Sequence, residues 1–242
     1  MTGVTRRVVL LSGLSLSACA ELRPPVGAHQ SEGFQPYTSP RSFGGPGQVF
    51  RTDEAGVPWP VETLQFATTI GSEFLPKYVS SLEYSLEALL QTIGVTGVQL
   101  PASLSANAGR SSSVTLESTD ASRLFVDDRY LDEALQGWGT GLRIRPGNSY
   151  FVVREAIQSK ALTYKVQRKW LASFSAEADF IEVVKTKASP KLEGDEELSV
   201  EASFSKPMFL MYRADQLKIE AANGGAPNQF DVTRNGSAQV RL

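Results

Sequence analysis

Cysteine and histidine are nearly missing from this chain, because Cys19 and His29 are the only residues of their kind among 242. A single cysteine excludes an internal disulfide, so stability must come from the burial of apolar side chains. A lone histidine cannot build a metal site or a Ser-His-Asp triad. No Gly-Lys-Ser/Thr sequence that could hold phosphate occurs either. We therefore expect no metal, no cofactor and no enzymatic activity. The open alternative is a hydrolase that works with carboxylates alone.

A strong excess of one charge is missing as well. Lysine and arginine number 24 and aspartate and glutamate 26, for a formal net charge of −2. This slightly acidic balance argues against nucleic acid as a partner, and against binding to anionic lipid by net charge alone. One acidic group, Asp127, Asp128, Asp132 and Glu133, stands without a histidine beside it. We interpret these carboxylates as charges that favour the N-terminus of a helix.

The start of the chain has the layout of a signal peptide. Arg6 and Arg7 precede an apolar run from Val8 to Leu16, which is far too short to span a membrane. The two arginines also fit a twin-arginine signal, so the export route stays open.

The apolar run closes with Leu16-Ser17-Ala18-Cys19, which resembles the lipobox of bacterial lipoproteins. That resemblance implies removal of residues 1–18, acylation of Cys19 and a place in the bacterial cell envelope. By analogy with lipoprotein sorting, Ala20 favours the outer membrane, facing the periplasm. The expected partners are the membrane, through the acyl chains on Cys19, and an unidentified envelope protein.

Residues 19–47 are predicted to form a lipid anchor and a flexible tether, since they are rich in proline and glycine. A chain of that length spans roughly 30 Å on average. The globular domain is predicted to cover residues 48–242.

Three helices are predicted within this domain. Ser80 and Glu83 form a capping box for a helix over 81–93, which Gly94 would end. A second helix is predicted over 127–137. A third is predicted over 170–184, where apolar residues recur at helical spacing.

The remaining pattern is that of strands, so we expect a single α+β domain with a mainly antiparallel, twisted sheet. A turn is predicted at 158–160, a charged loop at 190–197 and a break at Lys206-Pro207. The predicted strands are 48–52, 61–66, 150–157, 161–168, 198–204 and 209–219, with a further candidate at 239–242.

The segment from Tyr150 to Ser159 carries a second resemblance. It reads Tyr-Phe-Val-Val-Arg-Glu-Ala-Ile-Gln-Ser, and it is similar to the gasdermin strand that reads Tyr-Val-Val-Thr-Glu, two apolar residues and Gln-Thr. The parts around it also follow the order seen in gasdermin pore-forming domains: a Ser-rich segment, a strand at 114–117 and the helix at 127–137. The stretch 209–219 resembles the gasdermin pattern of an apolar strand, an Arg-containing bridge and Gln-Leu-x-Ile. The resemblance covers about 95–219 and implies a gasdermin-like fold.

The same resemblance implies two segments that would become membrane hairpins, about 95–118 and 161–204. The residues implied to contact lipid headgroups form the one local basic cluster: Lys160, Lys165, Arg168 and Lys169.

Two functions follow from the sequence. The first is a lipid-anchored, non-enzymatic binding or scaffolding module of the cell envelope. The second is a gasdermin-like protein that inserts into membranes or forms pores. An exported pore former without an inhibitor would endanger its own host, so the sequence favours the first.

Overall fold

The structure, a computed structural model, describes residues 33–66, 71–74, 82–95, 100–105, 114–139, 147–193, 196–222 and 229–238. Within these ranges it contains eleven strands and five helices. The strands are β1 (Gln35–Arg41), β2 (Gln48–Thr52), β3 (Pro58–Thr63), β4 (Gly71–Phe74), β5 (Leu82–Tyr84), β6 (Val114–Glu117), β7 (Ser122–Phe125), β8 (Ser149–Gln167), β9 (Ser189–Glu193), β10 (Glu197–Ala221) and β11 (Phe230–Ala238). The helices are α1 (Leu86–Thr92), α2 (Ala102–Ser105), α3 (Asp128–Trp138), α4 (Arg168–Ala172) and α5 (Glu177–Lys185).

One long antiparallel ribbon, β8 against β10, is the axis of an 11-stranded sheet. β8 runs for 19 residues and β10 for 25. All the strand pairs within the described residues are antiparallel. The predicted class, an α+β fold with a mainly antiparallel sheet, is therefore confirmed.

A bulge divides the ribbon into two halves. Ser159 lies opposite Met208 and Ala161 lies opposite Ser203, so Lys160 alone faces the stretch 204–207. We call the part beyond the bulge the distal half; it joins the ends of β8 and β10 (161–167 and 197–203) to β5, β6 and β9. The basal half joins the rest of the ribbon to β1, β2, β7 and β11.

The predicted turn at 158–160 and break at Lys206-Pro207 are both wrong, because each is one side of this bulge. An unpaired stretch in one strand bends a ribbon without ending it. Pro207 lacks a backbone N–H, and the register shift around it removes the need for one.

The predicted tether is also wrong in part, since β1 lies within 19–47. Tyr37 of β1 is fully buried, and its hydroxyl donates a hydrogen bond to the Gly44 carbonyl at 2.5 Å. Pro36 and Pro40 fit this position because β1 stands at the end of the strand order, where a missing donor is tolerated. The folded part of the chain therefore begins before residue 48.

The first predicted helix starts later than the capping box indicated. Glu83 lies in β5, Ser80 lies outside the described residues, and α1 begins after Ser85, whose side chain accepts a hydrogen bond from the Ala88 N–H. Its predicted end at Gly94 is confirmed. That glycine has φ +80, and the N–H of Val95 reaches back to the carbonyl of Leu90 at 2.8 Å.

The second predicted helix is confirmed as α3, with Asp127 as its N-cap, whereas the third is not one helix. Ser175, at φ +54, separates α4 from α5. Leu171 and Phe180 are buried, but Ala178 of the predicted apolar face is exposed.

Strand predictions near the ends of the domain need three corrections. The strand expected at 61–66 is β3, over 58–63. The expected charged loop at 190–197 contains β9, which pairs with β10 through Leu198 opposite Leu192. The candidate strand at 239–242 lies outside the described residues, and β11 instead pairs with the end of β10.

Burial in the distal half predicts which leucines hold the fold. Leu89 of α1 is fully buried, whereas Leu192 of β9 is 64% exposed. Leu89→Ala is expected to lower the free energy of unfolding by about 2–5 kcal/mol, because it opens a cavity in the core. Leu192→Ala, the matched control, is expected to change it by less than about 0.5 kcal/mol. Urea denaturation measures both, and equal effects would contradict this core assignment.

Candidate functional site

The four basic residues of the predicted headgroup cluster lie along the distal end of β8 and the start of α4. Three of them form ion pairs with glutamates. Lys165 Nζ lies 3.0 Å from Glu117 Oε1, and this hydrogen bond raises the pKa of Lys165. Arg168 Nε lies 2.7 Å from Glu177 Oε1, and Lys169 Nζ lies 3.4 Å from Glu196 Oε1.

Lys160 differs from the other three. It is exposed at the bulge, and within the described residues its side chain makes no ion pair. The structure therefore does not gather a single free basic patch.

The sheet of the distal half has one apolar and one polar face. Three adjacent strands, β6, β8 and β10, place their apolar side chains in one core, beneath α1, α4 and α5. Rows across the sheet show the register, for Val114 lies opposite Val166, and Val166 lies opposite Leu198. The buried members are Val114, Leu116, Leu162, Tyr164, Val166, Leu198, Val200 and Ala202. The opposite face carries Thr115, Glu117, Thr163, Lys165, Ser199, Glu201 and Ser203, which alternate with them.

The bulge between the two halves is closed by Asp120, from the turn after β6. Its Oδ1 accepts a hydrogen bond from Ser159 Oγ, and its Oδ2 accepts one from the Lys160 N–H at 3.1 Å. Ser118 Oγ adds a hydrogen bond to Oδ1 at 3.1 Å, and the Ala161 N–H another at 3.4 Å. One carboxylate thus binds the backbone and side chains of the bulged residues.

These contacts set the charge state of Asp120. Partial burial raises the pKa of its carboxyl group, but the hydrogen bonds from Ser159, Lys160 and Ser118 favour the charged form and leave the pKa below its usual value. At neutral pH Asp120 is therefore charged, and its hydrogen bonds hold the bulged residues in place. We call Asp120 with these hydrogen bonds the latch.

The basal half is held by a buried ionic network. Glu155, whose side chain is 8% exposed, lies 2.5 Å from Arg123 of β7 and 3.0 Å from Arg213 of β10. Asp215, which is 3% exposed, lies 3.1 Å from Arg234 of β11. Separating one of these pairs would leave a buried charge without a partner, which is strongly destabilising. The pairs therefore hold neighbouring strands together.

The acidic group interpreted as helix charges has a further role in this network. Asp128 and Asp132 each lie 2.7 Å from Arg234, which joins α3 to β11. The hydrogen bonds that Arg234 donates to Asp132 are the largest cause of the raised pKa of Arg234. Asp127 caps α3, whereas Glu133 lies 4.0 Å from Arg129 on the same helix.

Sequence reasoning missed Asp120 and Glu155. The signal for Asp120 was indirect: the polar Gln158-Ser159-Lys160 between two apolar strands marked the bulge that needs a latch. Glu155 gave no signal, because its partners Arg123 and Arg213 lie on other strands, far from it in the sequence.

No known protein family matches this sequence, and no curated protein matches it. Among solved structures, the fold is similar to that of a bacterial gasdermin from Bradyrhizobium tropiciagri. The TM-score is 0.50 at 14% sequence identity, over 88% of this chain and 90% of that chain. The fold is therefore gasdermin-like.

This finding overturns the function that the sequence favoured. The expected binding or scaffolding role is wrong, because a gasdermin-like fold over most of the chain favours the membrane-inserting alternative. Cys19 and the signal peptide lie outside the described residues, so the lipid anchor stays a prediction. None of the helices in the described ranges is both long and apolar enough to cross a bilayer.

The Asp120 latch predicts a pH-dependent loss of stability. Asp120→Asn removes an acceptor and places an NH₂ group against the Lys160 N–H, so unfolding should become about 1 kcal/mol easier at neutral pH. Because its folded pKa is lowered, the stabilisation by Asp120 is present above the ordinary value of 3.8 and lost as the pH falls through the folded pKa.

Urea titrations at several pH values measure the difference between wild type and Asp120→Asn. It should shrink towards zero as the pH falls below 3.8. Asp231→Asn, at an exposed position of β11 opposite Glu220, is the control and should change stability by less than about 0.5 kcal/mol, without loss at neutral pH. Equal stability of wild type and Asp120→Asn at neutral pH would show that Asp120 is not a latch.

Proposed function

We propose that this protein is a gasdermin-like protein that inserts β-hairpins into a membrane and forms a pore. The gasdermin-like fold supports this function. The amphipathic sheet of the distal half supports it too, since barrel strands alternate apolar and polar side chains.

One observation carries the proposal: the alternation of β8 continues through the segment that is now helical. At even positions the side chains are nearly all apolar, and at odd positions they are nearly all polar. The even positions are Leu162, Tyr164, Val166, Arg168, Trp170, Ala172, Phe174, Ala176, Ala178 and Phe180. The odd ones are Thr163, Lys165, Gln167, Lys169, Leu171, Ser173, Ser175, Glu177 and Asp179. A period of two is the pattern of a strand and not of a helix.

The helices that hold this segment are weakly specified. Neither α4 nor α5 has a side-chain hydrogen bond at its N-cap, and α4 spans only 5 residues. Helices this short gain little stability of their own and depend on packing. Release from the core would therefore leave a sequence whose own preference is to extend.

The bulge marks where the extended segment would begin. A membrane-spanning strand needs about 9–11 residues, whereas the distal part of β8 has the alternation only over 161–167 before α4 starts. Extension through α4 supplies the missing length. The ionic network of Glu155 and Asp215 keeps the basal half in place while the distal half changes.

The predicted headgroup contacts fit this geometry unequally. Lys160 stands exposed at the bulge, where the inserted hairpin would leave the folded base, so we assign it to the bilayer surface. Lys165, Arg168 and Lys169 are engaged by carboxylates, and they would reach lipid or the pore only after those ion pairs open.

The test uses two neighbouring residues that are both exposed in the folded protein, Ala172 and Ser173. Ala172→Arg places a charge on the lipid face of the inserted hairpin, at a cost of up to about 2–4 kcal/mol. It should abolish dye leakage from vesicles of phosphatidylethanolamine and phosphatidylglycerol. Ser173→Arg, on the opposite face, should leave leakage close to that of wild type.

Both variants should stay within about 0.5 kcal/mol of the wild-type free energy of unfolding, since both side chains are exposed and the hydrogen bond from Ser173 Oγ to the Trp170 carbonyl lies at the surface. Equal leakage by the two variants, or no leakage by wild type at any concentration, would contradict the proposed function.

We also propose that acyl chains on Cys19 hold the protein at the bacterial envelope. Each buried CH₂ contributes about 0.8 kcal/mol, so two or more chains anchor firmly. Cys19→Ala should release the protein from the membrane fraction, and the mass of the wild-type N-terminus should show acylated Cys19. An unmodified N-terminus would remove the anchor but not the hairpin proposal.

A further inference from the structure

The register of the distal ribbon is regular and already extends into the first residue of α4. Gln167 lies opposite Glu197 and Ala161 opposite Ser203, with no shift between them. Beyond β8, the Arg168 N–H donates to the Glu196 carbonyl at 2.9 Å. If the ladder were continued in this register, β8 would extend through α4 and α5, and β10 would extend backwards through β9.

Continuing this register one residue at a time brings opposite charges together. Arg168 comes opposite Glu196, Glu177 opposite Lys187 and Asp179 opposite Lys185. Opposite charges that face each other across two antiparallel strands stabilise the pair. Because no bulge was inserted to obtain these matches, they are a property of the observed register.

The same residues have different partners in the folded protein. Glu177 is bound to Arg168 at 2.7 Å, Glu196 to Lys169 at 3.4 Å and Asp179 to the Ser103 hydroxyl. Lys187 makes no ion pair within the described residues. The change of register therefore exchanges the partners of Arg168, Glu177 and Glu196, and it also gives up the Lys191–Glu201 pair of β9 at 2.7 Å.

The folded arrangement of β9 also carries local penalties that the continued register removes. Glu193 lies directly opposite Glu197, a like-charge pair that destabilises a sheet. Leu192 is 64% exposed, and the buried Ser199 Oγ has no hydrogen-bond partner among the described residues. In the continued register Leu192 comes opposite Ala172 on the apolar face, and Ser199 stays on the polar face.

We propose that the inserted hairpin forms by propagation of the existing β8–β10 register, with Glu177 exchanging Arg168 for Lys187 and a tip at Glu182. Glu182 is the one charged even position left without a partner, and a hairpin tip leaves it outside the apolar strands. This inference rests on the proposed function and specifies the conformation that the function requires.

A cysteine pair tests the register in the full chain. Glu177 is the first residue of α5 and Lys187 lies two residues beyond its end at Lys185, so the helix alone separates them by about 12 Å, too far for a disulfide. In the continued register they face each other. Glu177→Cys with Lys187→Cys should therefore cross-link only on the phosphatidylethanolamine–phosphatidylglycerol vesicles, and peptide mass spectrometry separates this bond from any bond to Cys19.

The matched control is Glu177→Cys with Lys185→Cys, which is two residues out of register and should not cross-link. Leakage with a 177–185 bond, or without a 177–187 bond, would overturn the register and leave the proposed function standing. Absence of leakage by the wild type would overturn the proposed function itself.

Charge reversal tests the exchanged ion pair without cysteine. Glu177→Lys and Lys187→Glu should each slow leakage about two- to fivefold, since each puts like charges opposite each other, and the double variant should restore it. Loss of the folded Arg168–Glu177 pair alone would instead speed leakage, so the direction separates the two roles. Failure of the double variant to restore leakage would contradict the pairing of Glu177 with Lys187.

Discussion

The antiparallel ladder between β8 and β10 is the constraint on which the rest of this structure depends. It joins every other strand to one sheet, directly or through a neighbour, and its bulge divides a charged, locked base from an amphipathic distal half. Asp120 closes the bulge from outside the ribbon, while Glu155 and Asp215 fix the basal strands with buried ion pairs. The ionically held base and the distal half that we propose is released are therefore built on the same two strands.

The sequence between the two distal strands is compatible with two conformations, an extended hairpin and a pair of short helices. Its period of two suits an extended hairpin, and yet Leu171 and Phe180 are spaced so that two short helices can bury them in the distal core. This double use explains why one long helix was predicted at 170–184 and why the structure breaks it at Ser175. Conflict between local pattern and fold is expected where a function requires a second conformation.

Much of the fold could be predicted from local pattern, and its failures have physical reasons. α3, β2 and the Gly94 cap follow from side chains near in sequence, so they were found. β1 was missed because its prolines are tolerated only at an edge that the sequence does not reveal. The latch and the ionic network were missed because their partners lie far apart in the chain, as with Arg234 and Asp132.

Hydrogen exchange of the wild-type protein, with and without vesicles, measures whether the helices within residues 168–193 change to strands. The amides of 168–193 should become more protected on the membrane, because two short helices turn into a continuous ladder, while the basal strands keep their protection. Unchanged exchange over 168–193 in membrane-bound protein that causes leakage would contradict this change.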